Sequence, residues 1–112
     1  MHALTMENLV KILKSLAELN RLRIVMAIGK GSLSVTEIIQ ATALPQTLVS
    51  FHLRTLRNSQ IVRTERKGPF VYYHLSSPDL IDVLSNLSQQ ANPDMGALDG
   101  KPDDKFSNEK SK

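Results

Sequence analysis

Two neighbouring segments constrain the fold of this chain more than any others: a helix written to be polar on one side, and a basic hairpin directly after it. The stretch from Pro45 to Leu56 reads PQTLVSFHLRTL, and beyond it a Gly68-Pro69 turn separates two β-rich runs, Ile61 to Arg66 and Phe70 to Leu75. Val49, Leu53 and Leu56 recur at helical spacing and form a buried stripe, which leaves Gln46, Thr47, Ser50, Arg54 and Arg57 facing outward. Pro45 pre-sets the first turn of this helix, where its missing N–H costs nothing. The two runs that follow are β-branched and aromatic, so they pair as a hairpin, with Arg63, Arg66 and Lys67 toward its tip. Polar side chains on a helix face can reach base edges in a DNA groove, and point charges on a hairpin can brace on phosphates without reading sequence. The pair points to DNA binding.

Charge is placed accordingly. The net charge of +3 is small, but between Arg54 and Lys67 five cations, Arg54, Arg57, Arg63, Arg66 and Lys67, face Glu65 alone. After Gln90 the lysines 101, 105, 110 and 112 are offset by Asp94, Asp99, Asp103, Asp104 and Glu109. The positive charge therefore sits on the helix and hairpin.

The rest of the chain reads as helices. Met6, Leu9, Val10, Leu13, Leu16 and Ala17 predict a first helix from about Met6 to Ala17. Asn20 is placed to cap a second, carrying Leu22, Ile24, Val25, Ala27 and Ile28 and stopping at Gly29, Lys30, Gly31, with the lysine in its last turn. Ser34 and Glu37 form a capping box for a short third helix that ends near Thr42. Ser77 caps a last helix opened by Pro78 and Asp79, whose Leu80, Ile81, Leu84 and Leu87 exceed what a small core needs and so suit a partner surface. Residues 1–90 are expected to form one domain, and residues 91–112, poor in apolar side chains, a flexible polar tail.

Several classes are excluded. With 112 residues there is room for one domain, and without cysteine there are no disulfides, thiolate metal sites or thiol nucleophiles. No apolar run approaches the roughly 18 residues of a membrane span, and the opening MHALTMENLV lacks the layout of a signal peptide, so a cytoplasmic protein without membrane contact is expected. No phosphate loop or nucleophile motif appears, which argues against an enzyme and gives no reason to expect a cofactor. His2, His52 and His74 are not spaced as metal ligands; His52 is expected to bond a neighbour or a phosphate, and His74 to lie on the strand surface.

The order helix, helix, short helix, helix, hairpin, helix resembles the ArsR/SmtB family of bacterial winged helix-turn-helix repressors. The likeness runs from about Leu9 to Leu87 and is carried by LKSLAELNRLRIVMAI (Leu13 to Ile28), LSVTEI (Leu33 to Ile38), LPQTLVSFHLRTLR (Leu44 to Arg57) and VYYHL (Val71 to Leu75). It implies a mainly α fold with a β-hairpin wing and a homodimer formed through the first and last helices, with Met6, Leu9, Leu13, Leu80, Ile81, Leu84 and Leu87 at the interface. The fourth helix would enter the major groove of an inverted-repeat operator. Gln46, Thr47, Ser50, Phe51, His52, Arg54 and Arg57 would then be its DNA-facing residues, with Arg63, Arg66 and Lys67 on the wing.

The departures concern regulation and fine geometry. Ser34 and Thr36 stand where many members have metal-binding cysteines, and the last helix offers Asp79 and Asp82 with no histidine, so no metal site is expected. Nothing in the residues names an effector, whether small molecule or protein. Phe51 replaces a polar or basic residue and is open to two readings, contact with a thymine methyl or packing against the wing. Gln60 stands where a glycine usually ends the recognition helix in the left-handed conformation, which predicts a turn there that is strained or differently shaped. Pro69 stiffens the wing tip. A competing reading keeps the fold but not operator binding, making the chain a protein-interaction module that works through its apolar outer helices.

Overall fold

The computed structural model describes residues 5–91; His2 and the expected tail from residue 92 onward lie outside them. The described elements are α1 (Met6–Leu16), α2 (Leu19–Ile28), β1 (Ser32–Ser34), α3 (Val35–Thr42), α4 (Gln46–Asn58), β2 (Val62–Lys67), β3 (Phe70–Leu75) and α5 (Leu80–Ala91). This is a winged helix-turn-helix: α3 and α4 are the two helices of the motif, and β2 and β3 are the wing.

Local chemistry sets most of the boundaries. Thr5 opens α1 by accepting from the Asn8 N–H at 3.0 Å. At α3 the capping box is complete, with the Glu37 N–H donating to Ser34 Oγ at 3.2 Å and the Ser34 N–H donating back to Glu37 Oε1 at 2.9 Å. Helix α2 corrects the sequence reading. Its cap is Glu18, whose extended backbone aims the carboxylate at the Arg21 N–H, 2.8 Å away, while Asn20 lies inside the first turn. Lys30 falls beyond the cap residue Gly29 and not in the last turn. Pro45 likewise sits one step outside α4, as its N-cap, with an extended ψ of 153°. Helix α5 begins later than expected, at Leu80, after a turn in which the Leu80 N–H donates to the Ser77 carbonyl at 3.0 Å and the Ile81 N–H to the Pro78 carbonyl at 3.2 Å.

Among the described residues, two that are not glycine adopt positive φ. Ala43 (φ 61°) makes the tight corner between α3 and α4, and Gln60 (φ 63°) turns the chain from α4 into β2, in the left-handed conformation expected there. Leu44 is steadied in the first corner by donating its N–H to Thr42 Oγ1 at 3.3 Å, while the Thr42 hydroxyl donates to the Ile38 carbonyl at 2.7 Å.

The sheet holds one strand more than the hairpin. Strand order is β1-β3-β2, all antiparallel, with Ser32 opposite His74 and Ser34 opposite Tyr72. Three residues are too few to show a period-two pattern, so β1 was not foreseen. In the hairpin Lys67 faces Phe70 across a two-residue loop. There Gly68 takes φ 63° and Pro69 is held near −65° by its ring, the sign pattern of a type II′ turn that matches strand twist.

The core lies beneath the helix-turn-helix, where Ile24, Val25, Ile38, Val49, Leu53 and Leu56 are fully buried. Ile61, Val62 and Leu75 extend it to the foot of the wing. The chain divides into two units, residues 1–81 and 82–112, and the core, the helix-turn-helix and the sheet all belong to the first. The described part of the second is the body of α5, on which no residue is fully buried and Val83 and Leu87 are exposed. Among the described residues no helix is long and apolar enough to cross a membrane.

Candidate nucleic-acid interface

Helix α4 is held from below by Val49, Leu53 and Leu56, and this anchoring fixes what it shows above. Gln46, Thr47, Ser50, Arg54 and Arg57 are all exposed, as their spacing predicts. Pro45 has no side-chain acceptor to cap the helix, so the N–H groups of the first turn and the positive end of the helix dipole face outward with them. Phe51 is 60% exposed, and its ring meets His52 edge-on with centroids 5.3 Å apart.

The outward residues continue into two adjoining clefts. Ser50, Arg54, Arg57 and Asn58 of α4 line the first, about 360 Å³, together with Tyr73 of β3. The second, about 380 Å³, joins Arg57 and Gln60 to Val62, Arg63 and Thr64 at the outer edge of the sheet. Arg57 belongs to both, so Arg54 and Arg57 line the first cleft and Arg57 and Arg63 the second. Such a surface can hold phosphate oxygens by bidentate, charge-assisted hydrogen bonds.

Strand register sorts the remaining cations. Thr64 opposite Tyr73 and Arg66 opposite Val71 share the sheet face of the buried Val62 and Leu75 pair. Lys67 opposite Phe70 lies on the other face, with its Nζ 5.7 Å from the Tyr72 ring centroid. The wing cations are thus divided between two faces and do not form a single patch. Tyr73, Asn58 and Thr64 are not singled out by the sequence, and Gln60 only as the end of the recognition helix, although period-two alternation counted back from Leu75 marks Tyr73 as facing the helices.

His52 must be removed from the exposed set. It is only 5% exposed, its Nδ1 lies 3.4 Å from Arg21 Nη1, and its Nε2 lies 3.8 Å from Glu18 Oε1. The spacing carried the signal: Val49, His52, Leu53 and Leu56 fall at i, i+3, i+4 and i+7, and the polar residue type hid that membership. His74 is half-buried rather than on the surface, with Nδ1 3.3 Å from the Leu75 carbonyl. Beside His52, the hydrogen bond from the Arg21 N–H holds the Glu18 carboxyl below its ordinary range, with His52 and the Arg21 charge acting in the same direction.

The Ser34 hydroxyl accepts from the Glu37 N–H as a helix cap, and among the described residues no three His, Asp or Glu side chains gather around a point that could hold a metal ion.

Over residues 19–64, from the start of α2 into β2, the chain matches the family described as bacterial regulatory protein, arsR family. It is 34% identical over 86 residues to the transcriptional repressor PagR of Bacillus anthracis, spanning 76% of this chain and 86% of that protein. To the transcriptional activator HlyU of Vibrio cholerae it is 36% identical over 86 residues, 74% of this chain and 80% of that one. The folds agree. The crystal structure of PagR superimposes with a TM-score of 0.66 at 35% identity, covering 73% of this chain and 94% of the other. HlyU from Vibrio cholerae gives 0.67 at 33% identity, covering 72% and 91%.

Proposed function

This chain belongs to the arsR family of bacterial regulatory proteins, a transcriptional regulator by family and not an enzyme, and from that premise we propose that it is a homodimeric repressor of an inverted-repeat operator. The observation that carries this reading is the polar and basic lining of the two clefts beside α4, Ser50, Arg54 and Arg57 in one and Arg57 and Arg63 in the other, with Gln46 and Thr47 exposed on the same helix. Gln46 can take an adenine edge bidentately, Thr47 and Ser50 can donate or accept, and Arg54 reaches guanine or phosphate. Phe51, exposed beside them, is placed for a thymine methyl. Arg57, Arg63, Arg66 and Lys67 hold the backbone.

Dimerisation is proposed through the apolar side chains of α1 and, separately, of α5. Met6, Leu9 and Leu13 of α1 are 71%, 41% and 49% exposed, and α5 adds Leu80, Ile81, Leu84 and an exposed Leu87. Two copies joined there would set their α4 helices about 34 Å apart, one turn of DNA, in successive major grooves of cytoplasmic promoter DNA. Repression follows from occupying the promoter. Release follows from any small molecule or protein that binds one dimer geometry better than another. Ser34 and Thr36 offer no thiolate and α5 no histidine, so the effector is not a metal held at either of the family's sites.

The test is a fluorescence-anisotropy titration against the chain's own upstream promoter duplex and a shuffled duplex at two salt concentrations. Tight binding of the promoter alone, weakening steeply with salt, is expected, and Arg54→Ala, which removes one phosphate contact from each protomer, should reduce the log-log salt slope by about 1.8. Equal weak binding to both duplexes sinks operator recognition and leaves the interaction-module reading.

A further inference from the structure

The buried polar group in the middle of α4 has no part in the DNA surface just described. An apolar side chain of similar size would fill the same space, because burying polar groups is not in itself stabilising and apolar replacements are often neutral or better. What His52 adds is direction. Arginine has only donors, so the contact with Arg21 Nη1 makes His52 Nδ1 the acceptor and leaves the ring proton on Nε2, facing Glu18 Oε1 at 3.8 Å.

Arg21 carries the connection onward. Its Nε donates to the Ser15 carbonyl at 2.6 Å, in the last turn of α1, and its backbone N–H is the donor that Glu18 caps. A second tie lies nearby, where the buried Ser15 hydroxyl bonds the hydroxyl of Ser59, the C-cap of α4. His52 and Ser59 stand seven positions apart, about 10 Å along the helix. One contact would let α4 pivot on its apolar stripe. Two, both made to the junction of α1 and α2, set its tilt and its rotation.

We propose that His52 is a positioning residue for DNA recognition: through Arg21 it holds α4 at one angle on the α1–α2 junction, so that Gln46, Thr47 and Ser50 meet base edges together. The proposal rests on the DNA-binding reading and adds a residue that never touches DNA. It differs from a phosphate contact in a measurable way, because loss of the clamp removes selectivity without removing a counterion-releasing charge.

The experiment compares wild type, His52→Leu, His52→Asn and Arg54→Ala in the same anisotropy titration, with circular dichroism and thermal melting of each protein. His52→Leu should stay folded, lose tenfold or more in affinity for the promoter duplex, keep its weak binding to the shuffled duplex and keep the wild-type salt slope. His52→Asn, whose Oδ1 replaces the Nδ1 acceptor, should recover most of that loss. Arg54→Ala should lower the slope instead. Wild-type promoter affinity in His52→Leu overturns the clamp, as does a slope lowered like that of Arg54→Ala, or a His52→Asn no better than leucine. If His52→Leu does not fold, Arg21→Met breaks the same bond from the other side; selective loss of promoter binding there supports the clamp, and wild-type affinity overturns it. A wild-type protein that does not separate the two duplexes sinks the DNA-binding reading itself, a failure distinct from selective wild-type binding that survives His52→Leu.

Discussion

Helices α1 and α4 carry the same kind of sequence signal, an apolar row at helical spacing, and use it in opposite ways. On α4 the row of Val49, Leu53 and Leu56 is buried to within 1%. On α1 the row of Met6, Leu9, Val10 and Leu13 remains 41% to 71% exposed. Their ends differ in the reverse sense. Helix α1 has a side-chain cap at Thr5, whereas α4 has none at Pro45 and leaves through a left-handed Gln60. Helix α4 is held by its core face, which leaves its outer face and uncapped N-terminus exposed; α1 is held at its C-terminal end, by Leu16 and by Ser15 to Arg21 and Ser59, and leaves its apolar row exposed.

The largest expected break in this comparison comes from shortening one leucine on each helix. Leu53→Ala should destabilise the fold by about 2–5 kcal/mol, because it leaves a cavity in packed core. Leu9→Ala should cost below about 1 kcal/mol in protein dilute enough to be monomeric. Urea denaturation at two protein concentrations checks both, since a dimer formed through α1 makes the Leu9→Ala deficit grow with concentration. Equal losses at both sites would show that α1 is core rather than interface.

A smaller effect should come from repairing the exit of α4. Glycine carries no Cβ penalty at positive φ, so Gln60→Gly should stabilise by about 0.5–1 kcal/mol, net of the entropy it adds to the unfolded chain. Thermal melting measures this, and a destabilised variant would mean that the Gln60 side chain contributes more than its backbone costs.

The smallest effect concerns the junction that joins the two helices. The Glu18 carboxyl is held below its ordinary value of 4.5 in the folded protein, chiefly by the hydrogen bond from the Arg21 N–H. A lowered folded value means that its contribution is complete above about pH 4.5 and is lost as pH falls through the lower folded value. Glu18→Gln should therefore flatten the acid limb of stability below that pH while changing it little in shape at neutral pH. An acid limb identical to wild type would remove Glu18 from the account of acid sensitivity.

Much of the site was legible before any coordinates. The capping box of Ser34 and Glu37, the outward set on α4, the hairpin and the left-handed turn at Gln60 all follow from rules that reach three or four residues along a chain. The errors of boundary were also local: Glu18 outcompeted Asn20 because a carboxylate on an extended residue reaches the N–H three positions on. What was missed was of another kind. Strand β1 exists because Ser32 to Ser34 meets β3 across the chain, and Tyr73 joins the recognition cleft because of that same ladder.

The sequence by itself determined the five helices and the hairpin, where charge gathers and which face of α4 is polar, since these depend on side chains within a turn or two of one another. Only the tertiary structure decided that His52 faces inward, because its partner Arg21 lies 31 positions away. Spacing puts a histidine three positions after a buried valine beside the core face, but its polar side chain leaves that place open; the guanidinium that meets its buried acceptor is what selects the core.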